Sequence, residues 1–231
     1  MINHKPIHAP LAQFAVIDDC LHIGGLPLTQ LAQRVGKTPF FAYERQALTA
    51  RVQYLRQHLP HEIGLHYSIK ANPMPALVQH MAGLVDGFDI ASSGELKVAL
   101  DTTMRPAAIS FAGPAKKEGD LTRAIAAGIV INIESHSELE AIARIGTSLA
   151  IRPSISVRVN PDFELKSSGM KMGGGAKQFG IDADQVPQLL HRVDALGLNF
   201  QGFQIYSGSQ SLKATSIIDR KSTRLNSSHR L

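Results

Sequence analysis

The sequence has few of the residues and segments that cross-link a protein, anchor it or direct it to an export pathway. Its 231 residues include one cysteine, Cys20, and no tryptophan. One cysteine excludes an internal disulfide framework, and its surroundings predict a buried structural thiol rather than a nucleophile. Apolar runs are too short to span a bilayer, and residues 1–10 lack the apolar core of a secretory signal. We therefore predict a cytoplasmic protein with no membrane partner.

A strong excess of positive charge is also missing once the C-terminus is set aside. The formal net charge is +5 and the pI is about 9.4, values that would suggest a nucleic-acid partner. Residues 219–231, however, resemble the translation of a sequencing-library adapter and carry +3 of that net charge. Residues 1–218 then carry +2 and have no basic run interleaved with aromatic residues. We therefore treat residues 219–231 as a non-native tail and predict no nucleic-acid partner.

Strand-like and helix-like patterns alternate from residue 37 onward. Seven strands are predicted, at residues 39–43, 65–70, 87–90, 107–112, 129–132, 154–160 and 200–206. Helical periodicity falls between most of them, at residues 45–57, 75–82, 95–100, 117–127, 137–145 and 183–194. This alternation predicts an α/β fold with a parallel sheet covered by helices, and seven strands in series favour a (β/α)8 TIM-type barrel. Because such a barrel takes about 200–250 residues, residues 37–218 predict an incomplete one.

Lys70 is the residue that points most directly to chemistry. It ends the predicted strand 65–70, just before Asn72 and Pro73. Since strand side chains alternate between faces, Lys70 shares one face with His66 and Ser68. Barrels of this class place their active sites at the carboxyl ends of the strands, where a partly buried lysine can react as a free amine. A plain surface lysine is the alternative interpretation.

A second motif follows about one βα unit later and gives the first motif a family context. Ser-Ile-Lys-Ala-Asn-Pro at 68–73 and Phe-Asp-Ile-Ala-Ser-Ser-Gly-Glu-Leu at 88–96 together resemble the barrel domain of the pyridoxal-phosphate (PLP) decarboxylases of the alanine-racemase-like fold. That family includes ornithine, diaminopimelate and arginine decarboxylases. The resemblance implies PLP held by the amine of Lys70, an amino acid as the small-molecule substrate, and a homodimer for the full-length parent.

The same resemblance implies roles for two further charged residues. Asp89 would lie near the cofactor ring and its lysine, and a solvated turn or helix cap is the alternative. Arg158 belongs to an Arg-Val-Asn-Pro motif and would lie beneath the cofactor ring, near its nitrogen. An arginine inside a barrel must be paired, so a buried structural ion pair is the alternative for Arg158.

Residues 202–209 resemble the family pattern Gly-x-His-x-His-x-Gly-Ser, with two departures. Gly208 and Ser209 match it and would suit a phosphate group. Tyr206 and Gln204 replace the two histidines, and the resemblance implies that Tyr206 stacks on the cofactor ring. These departures fit better with the subgroup associated with exopolysaccharide and exosortase gene clusters, and they put diaminopimelate in doubt as the substrate.

The family's later motifs, Glu-Pro-Gly-Arg and Cys-x-x-x-Asp, do not occur. We therefore interpret the chain as a truncated product, inactive by itself. Its predicted segments are residues 1–36, which form part of a β-domain, residues 37–218, which form a partial PLP-binding barrel, and the tail at 219–231. The ten histidines are scattered, and no cluster has metal-ligand spacing, so no metal site is predicted.

Several other positions allow two interpretations. Lys116 either contacts an anionic substrate group or is solvated. Glu134 and Ser135 could approach the mouth of the site, and the alternative for Ser135 is that it simply precedes the helix. The glycine-rich residues 170–180 form either a mobile active-site loop or a plain surface loop. Ser137 with Glu140 fits a helix-start capping box.

PLP-dependent decarboxylation is the function that these motifs favour. Two alternatives stay open: a PLP-binding barrel protein that does not decarboxylate, and a non-catalytic paralogue that binds a partner. An amino-acid racemase is a further alternative, although the motifs around its lysine differ.

Overall fold

The computed structural model describes residues 13–160, 170–171, 179–206 and 208–209. The chain divides into two compact units, the first ending at Gly64 and the second beginning at Leu65. The tail at 219–231 and most of the glycine-rich loop lie outside the described residues. In the ranges given, no helix is long and apolar enough to cross a membrane.

The first unit holds a small antiparallel sheet and two helices. The strands β1 (Val16–Ile17), β2 (Cys20–Ile23) and β3 (Leu26–Pro27) pair in the order β1-β2-β3, and α1 (Leu28–Val35) and α2 (Arg45–His58) follow. Both hairpin turns consist of two residues with positive φ, Asp18-Asp19 and Gly24-Gly25, as a type I′ turn requires. Cys20 is half-buried, so the prediction of a buried thiol was too strong.

The predicted strand at 39–43 does not form. These residues have no regular secondary structure, and Phe41 is 89% exposed. A strand needs a hydrogen-bonded neighbour, and none of the described strands pairs with this segment. The sequence predicted a strand here because the segment is apolar, but an apolar composition does not show whether a partner strand is available.

The second unit is built from βα repeats. Its elements are β4 (His66–Ser68), α3 (Pro75–Ala82), β5 (Gly87–Ile90), α4 (Ser93–Leu100), β6 (Ile109–Phe111), α5 (Glu118–Ala127), β7 (Val130–Ile133), α6 (His136–Leu149), β8 (Ser154–Asn160), β9 (Met170–Lys171), β10 (Ile181–Asp182), α7 (Val186–Ala195), β11 (Asn199–Ile205) and β12 (Gly208–Ser209). The strands β4, β5, β6, β7 and β8 are parallel neighbours in chain order, and β10 and β11 both pair with β8 in parallel. Consecutive neighbours of this kind form the wall of a TIM-type barrel.

The two faces of this parallel sheet differ sharply in chemistry. Residues in register on neighbouring parallel strands lie on the same face, as Asp89 and Ser110 do. The apolar face is buried under the helices and is made of Phe88, Ile90, Ile109, Phe111, Ile131, Ile133, Ile155 and Val157. The polar face carries Ser68, Asp89, Ser110, Asn132, Ser156, Arg158 and Gln204. The fold therefore collects the chemically useful side chains on one surface.

Serine caps fix where two of the helices begin. The Ser92 hydroxyl accepts a hydrogen bond from the Glu95 backbone N–H at the start of α4. At α6 the cap is Ser135, which accepts from the Glu138 N–H. The predicted capping box at Ser137 is therefore placed two residues too late. The same Ser-x-x-Glu spacing occurs at both positions, and the earlier serine, two residues beyond the end of β7, is the one that caps the helix.

Candidate functional site

Lys70 lies immediately beyond the carboxyl end of β4. The strand stops at Ser68 and a 3-10 turn spans Ile69–Ala71, so the predicted strand was two residues too long. Ile69 is fully buried on the apolar side, whereas Lys70 is exposed. The Asn72 backbone N–H closes the turn by donating to the Ile69 carbonyl at 3.1 Å, and the Asn72 side-chain oxygen accepts from the Met74 N–H at 3.1 Å in the loop that follows. The amine of Lys70 therefore stands at the rim of the sheet, without the partial burial that the sequence suggested.

Asp89, the second predicted site residue, lies on β5 among donors from both neighbouring strands. Ser110 donates to Asp89 Oδ1 at 2.5 Å, and Nδ1 of His66 lies 3.6 Å from the same oxygen. Burial tends to raise the pKa of Asp89, but hydrogen bonds from His66 and Ser110 and the positive charges of His66 and Lys70 lower it overall. Asp89 is thus held as a carboxylate within electrostatic reach of Lys70.

Sequence reasoning placed His66 on the face of Lys70 but gave it no role. Its ring lies over Gly87, where a β-carbon would come within 2.5 Å of Cε1 of the His66 ring. The hydrogen bond to Asp89 raises the pKa of His66 despite its partial burial. A histidine that faces a glycine on the next strand is the sequence signal that could have revealed this contact.

The pair predicts a pH dependence of folding stability. The pKa of His66 is raised above 6.5, so its contribution is complete below that value and is lost as pH rises through the folded-state pKa. The pKa of Asp89 is lowered below 3.8, so its contribution is lost as pH falls through that lower pKa. Both groups are partly exposed, so we expect no more than about 1 kcal/mol.

Urea titrations of the wild type and of a His66→Asn variant, run at acidic and alkaline pH, measure this contribution. The difference in stability between the two proteins should be largest between pH 3.8 and pH 6.5, the ordinary pKa values of an aspartate and a histidine side chain. It should shrink as pH rises through the raised pKa of His66. An equal difference at every pH would contradict the assignment.

Arg158 lies on β8 in a buried, paired environment. Its Nη1 lies 3.0 and 3.1 Å from the two carboxylate oxygens of Glu134, and both side chains are nearly inaccessible to solvent. Its guanidinium carbon lies 4.9 Å from the centre of the Phe179 ring and 5.8 Å from that of Tyr206, as in cation–π contacts. The sequence predicted the need for a partner, and the structure identifies that partner as Glu134, at the end of β7.

Lys116 matches neither of the two interpretations proposed for it. Its side chain is 1% exposed, and Nζ bonds to Glu138 Oε1 at 2.8 Å and to the Gly113 carbonyl at 2.5 Å. The pKa of Glu138 is raised by burial, although the charge of Lys116 and its hydrogen bond act against this rise. The amine of Lys116 is therefore directed into the protein and cannot serve as a solvated ligand for a substrate.

The remaining predicted site residues lie at the end of β11 and beyond it. Tyr206 follows β11 and is 37% exposed, with its ring near Arg158. Gly208 and Ser209 form β12, which pairs antiparallel with β9, and their side-chain surroundings lie outside the described residues. Gln204, opposite Arg158 in register, has a buried Oε1 with no hydrogen-bond partner in the part of the chain that the structure describes. A bound group with a donor could satisfy that oxygen.

The predicted residues form two groups. In the first, the charge of Lys70 acts on Asp89, and His66 and Ser110 contact that carboxylate. In the second, the guanidinium of Arg158 lies near the ring of Tyr206. Within the described ranges, no group of three or more His, Cys, Asp and Glu side chains could hold a metal ion. An amine beside a carboxylate and an arginine between aromatic rings are features that suit an anionic aldehyde cofactor with an aromatic ring.

The chain belongs to the family of pyridoxal-dependent decarboxylases, because residues 45–226 match the model of their pyridoxal binding domain. It is 32% identical to the L-glutamyl-[BtrI acyl-carrier protein] decarboxylase of Niallia circulans over 194 residues, which are 83% of this chain and 45% of that protein. It is 34% identical to the diaminopimelate decarboxylase of Aquifex aeolicus over 198 residues, which are 84% of this chain and 47% of that protein.

Solved structures show the same relationship. A crystal structure of AQ1208 from Aquifex aeolicus aligns with a TM-score of 0.76 and 28% identity, covering 94% of this chain and 53% of that one. Diaminopimelate decarboxylase from Helicobacter pylori, complexed with L-lysine, aligns with a TM-score of 0.75 and 25% identity, covering 87% and 52%. The predicted fold class, an incomplete TIM-type barrel of the alanine-racemase-like class, is confirmed. The chain spans about half the length of these relatives.

Proposed function

We propose that the chain is the cofactor-binding part of a PLP-dependent amino-acid decarboxylase, with Lys70 as the residue that attaches the cofactor. The observation that carries the proposal is the position of Lys70 at the carboxyl end of β4, within electrostatic reach of the Asp89 carboxylate. Barrel enzymes build their active sites at this end of the sheet. Family membership makes PLP the cofactor that these residues would hold.

The side chains suit that cofactor on physical grounds. When bound, PLP supplies an aldehyde to an amine and a ring that accepts the electron pair left on the α-carbon when carbon dioxide departs. Lys70 presents the amine, and Asp89 keeps a negative charge beside it. Arg158, held by Glu134, offers a fixed positive charge on the polar face. Tyr206 offers an aromatic face, and the proposed phosphate contacts are Gly208 and Ser209.

The substrate class and the cellular context are proposals of the same kind. Relatives named as diaminopimelate decarboxylases, one of them complexed with L-lysine, support an amino-acid substrate. Gln204 and Tyr206, in place of the two family histidines, support the exosortase- and exopolysaccharide-associated subgroup. We further propose a cytoplasmic protein, a homodimeric full-length parent, a division into residues 1–36, 37–218 and 219–231, and a chain that does not turn over by itself.

Trapping the cofactor tests the proposal. We expect that incubation with PLP followed by borohydride reduction adds one pyridoxyl group, which peptide mass spectrometry locates on Lys70. Lys97, exposed on α4, is the internal control and should stay unmodified at matched PLP concentration.

Modification spread evenly over the surface lysines, or no modification, would overturn the assignment of Lys70. Modification at Lys70 separates a PLP-binding barrel, whether or not it decarboxylates, from the non-catalytic paralogue, and a parallel assay of carbon dioxide release tests for turnover. A chain that is modified at Lys70 but releases no carbon dioxide fits the proposed inactive half. A chain that is not modified at Lys70 fits the non-catalytic paralogue.

A further inference from the structure

The buried ion pair between Lys116 and Glu138 is an unexpected feature of the polar ends of the strands. It follows β6 and β7, away from the exposed amine of Lys70, and the proposed chemistry does not use it. Burying two charges is costly, and even a paired, hydrogen-bonded ion pair in the interior often adds no stability over apolar residues of similar volume. At the solvent-exposed surface, a pair such as Arg144 and Glu118 carries no such penalty. The buried pair therefore needs a reason beyond stability.

The contacts around this pair lead, step by step, to Arg158. Lys116 donates to the Gly113 carbonyl at 2.5 Å, and the Gly113 N–H donates to Glu134 Oε1, also at 2.5 Å. Glu138 accepts from the Glu134 backbone N–H at 2.8 Å. Lys116 and Glu138 thus hold Glu134 from two sides, one through the β6–α5 loop and one through its own backbone.

Glu134 in turn holds Arg158. Both oxygens of its carboxylate lie within 3.1 Å of Arg158 Nη1, and Oε1 is also the acceptor for the Gly113 N–H. The position of the carboxylate is therefore fixed by the loop and by the guanidinium together. The four side chains Lys116, Glu138, Glu134 and Arg158, with the Gly113 backbone, form a buried network of zero net charge, which we name the four-charge network.

We infer that Lys116 is a positioning residue, which acts through Glu138, Gly113 and Glu134 to hold the guanidinium of Arg158 in one orientation on the polar face. The inference rests on the proposed role of Arg158 toward the cofactor, because only then does its orientation matter for function. It replaces both sequence-based interpretations of Lys116. Lys116 is buried and bonded within the protein, and through these bonds it fixes the orientation of the Arg158 guanidinium.

The order of the Arg158 side chain can be measured directly by NMR. A buried, hydrogen-bonded guanidinium exchanges its protons slowly with solvent, so the Nη1 protons that Arg158 donates to Glu134 should give a protected signal. The loss of that signal in an Arg158→Lys variant would assign it. The variant to compare is Lys116→Met/Glu138→Gln, which removes both charges at once and keeps similar volumes. Replacing a buried pair in this way is often neutral for stability, so the double variant should fold.

We expect the Nη1 protons of Arg158 to exchange roughly tenfold faster in the double variant, the size typical of coupling within one buried network. Two neighbouring replacements serve as controls. Lys117→Met changes the adjacent exposed lysine. Glu140 lies on α6, as Glu138 does, and Glu140→Gln removes its exposed pair with Arg192 of α7. Neither should change the exchange of Arg158. A folded double variant with unchanged exchange would overturn the inference.

Titration with PLP distinguishes this inference from the proposed function. If PLP affinity falls in both the double variant and Arg158→Lys, the network and the role of Arg158 are both supported. If the exchange of Arg158 accelerates but PLP affinity is unchanged in both variants, Lys116 still positions Arg158, and the proposed contact between Arg158 and the cofactor is overturned.

Discussion

Replacing Arg158 by methionine should lower the free energy of unfolding by about 3–5 kcal/mol, the loss typical when one partner of a buried ion pair is removed. The Glu134 carboxylate would remain, with its side chain 1% exposed, and the only direct contact left to it in the four-charge network would be the Gly113 N–H. The charge would then have to be buried unpaired or be neutralised by a proton. Urea unfolding at neutral pH measures the effect.

The matched control is the double variant Arg158→Met/Glu134→Gln. It removes both charges, so no uncompensated ion is left in the interior, and we expect it to recover most of the loss. If the double variant were as unstable as Arg158→Met, the penalty would come from lost packing against Phe179 and Tyr206 and not from the stranded charge.

Gly87→Ala should destabilise the protein by about 1–3 kcal/mol, as overpacking at a filled site does. A β-carbon at this position would overlap the Ala108 carbonyl oxygen and would lie within 2.5 Å of the His66 ring. The ring can move, but the carbonyl belongs to the backbone and can move only with it. Thermal or urea unfolding measures the loss.

Gly119→Ala is the control, because a β-carbon there would meet nothing closer than 3.9 Å, at the end of the Arg123 side chain. Within α5 that change should be neutral or slightly stabilising, since alanine favours the helix. Equal losses at Gly87 and Gly119 would show that the contact with His66 and Ala108 does not determine the cost.

The bounds of strands and helices in the second unit were predicted correctly where the local sequence pattern of a segment matches its place in the fold. The strands Gly87–Ile90 and Ser154–Asn160 and the helix Pro75–Ala82 begin and end where the sequence placed them. Each has a clear stop signal or an uninterrupted apolar alternation. The strand predicted at 39–43 was wrong because its apolar residues find no partner strand, and pairing is a property of the whole fold.

The candidate site was predictable only in part, for the same reason. Lys70, Asp89 and Arg158 stand at strand ends, a location that the sequence pattern reveals. Their partners lie on or just beyond other strands, about 20 residues away along the chain, and no local rule indicates which of several acids is chosen. The burial of Lys116 was missed because a lysine after a glycine-proline turn ordinarily faces solvent.

The two faces of the parallel sheet differ in the amino-acid substitutions that they tolerate. On the apolar face, side chains such as Ile131 and Val157 only have to fill space, so exchanges that conserve volume are tolerated. On the polar face, a change at one charge strands its counterpart. The apolar core can therefore accept substitutions one residue at a time, whereas the charged residues of the polar face can be replaced only in pairs, each change compensating the other.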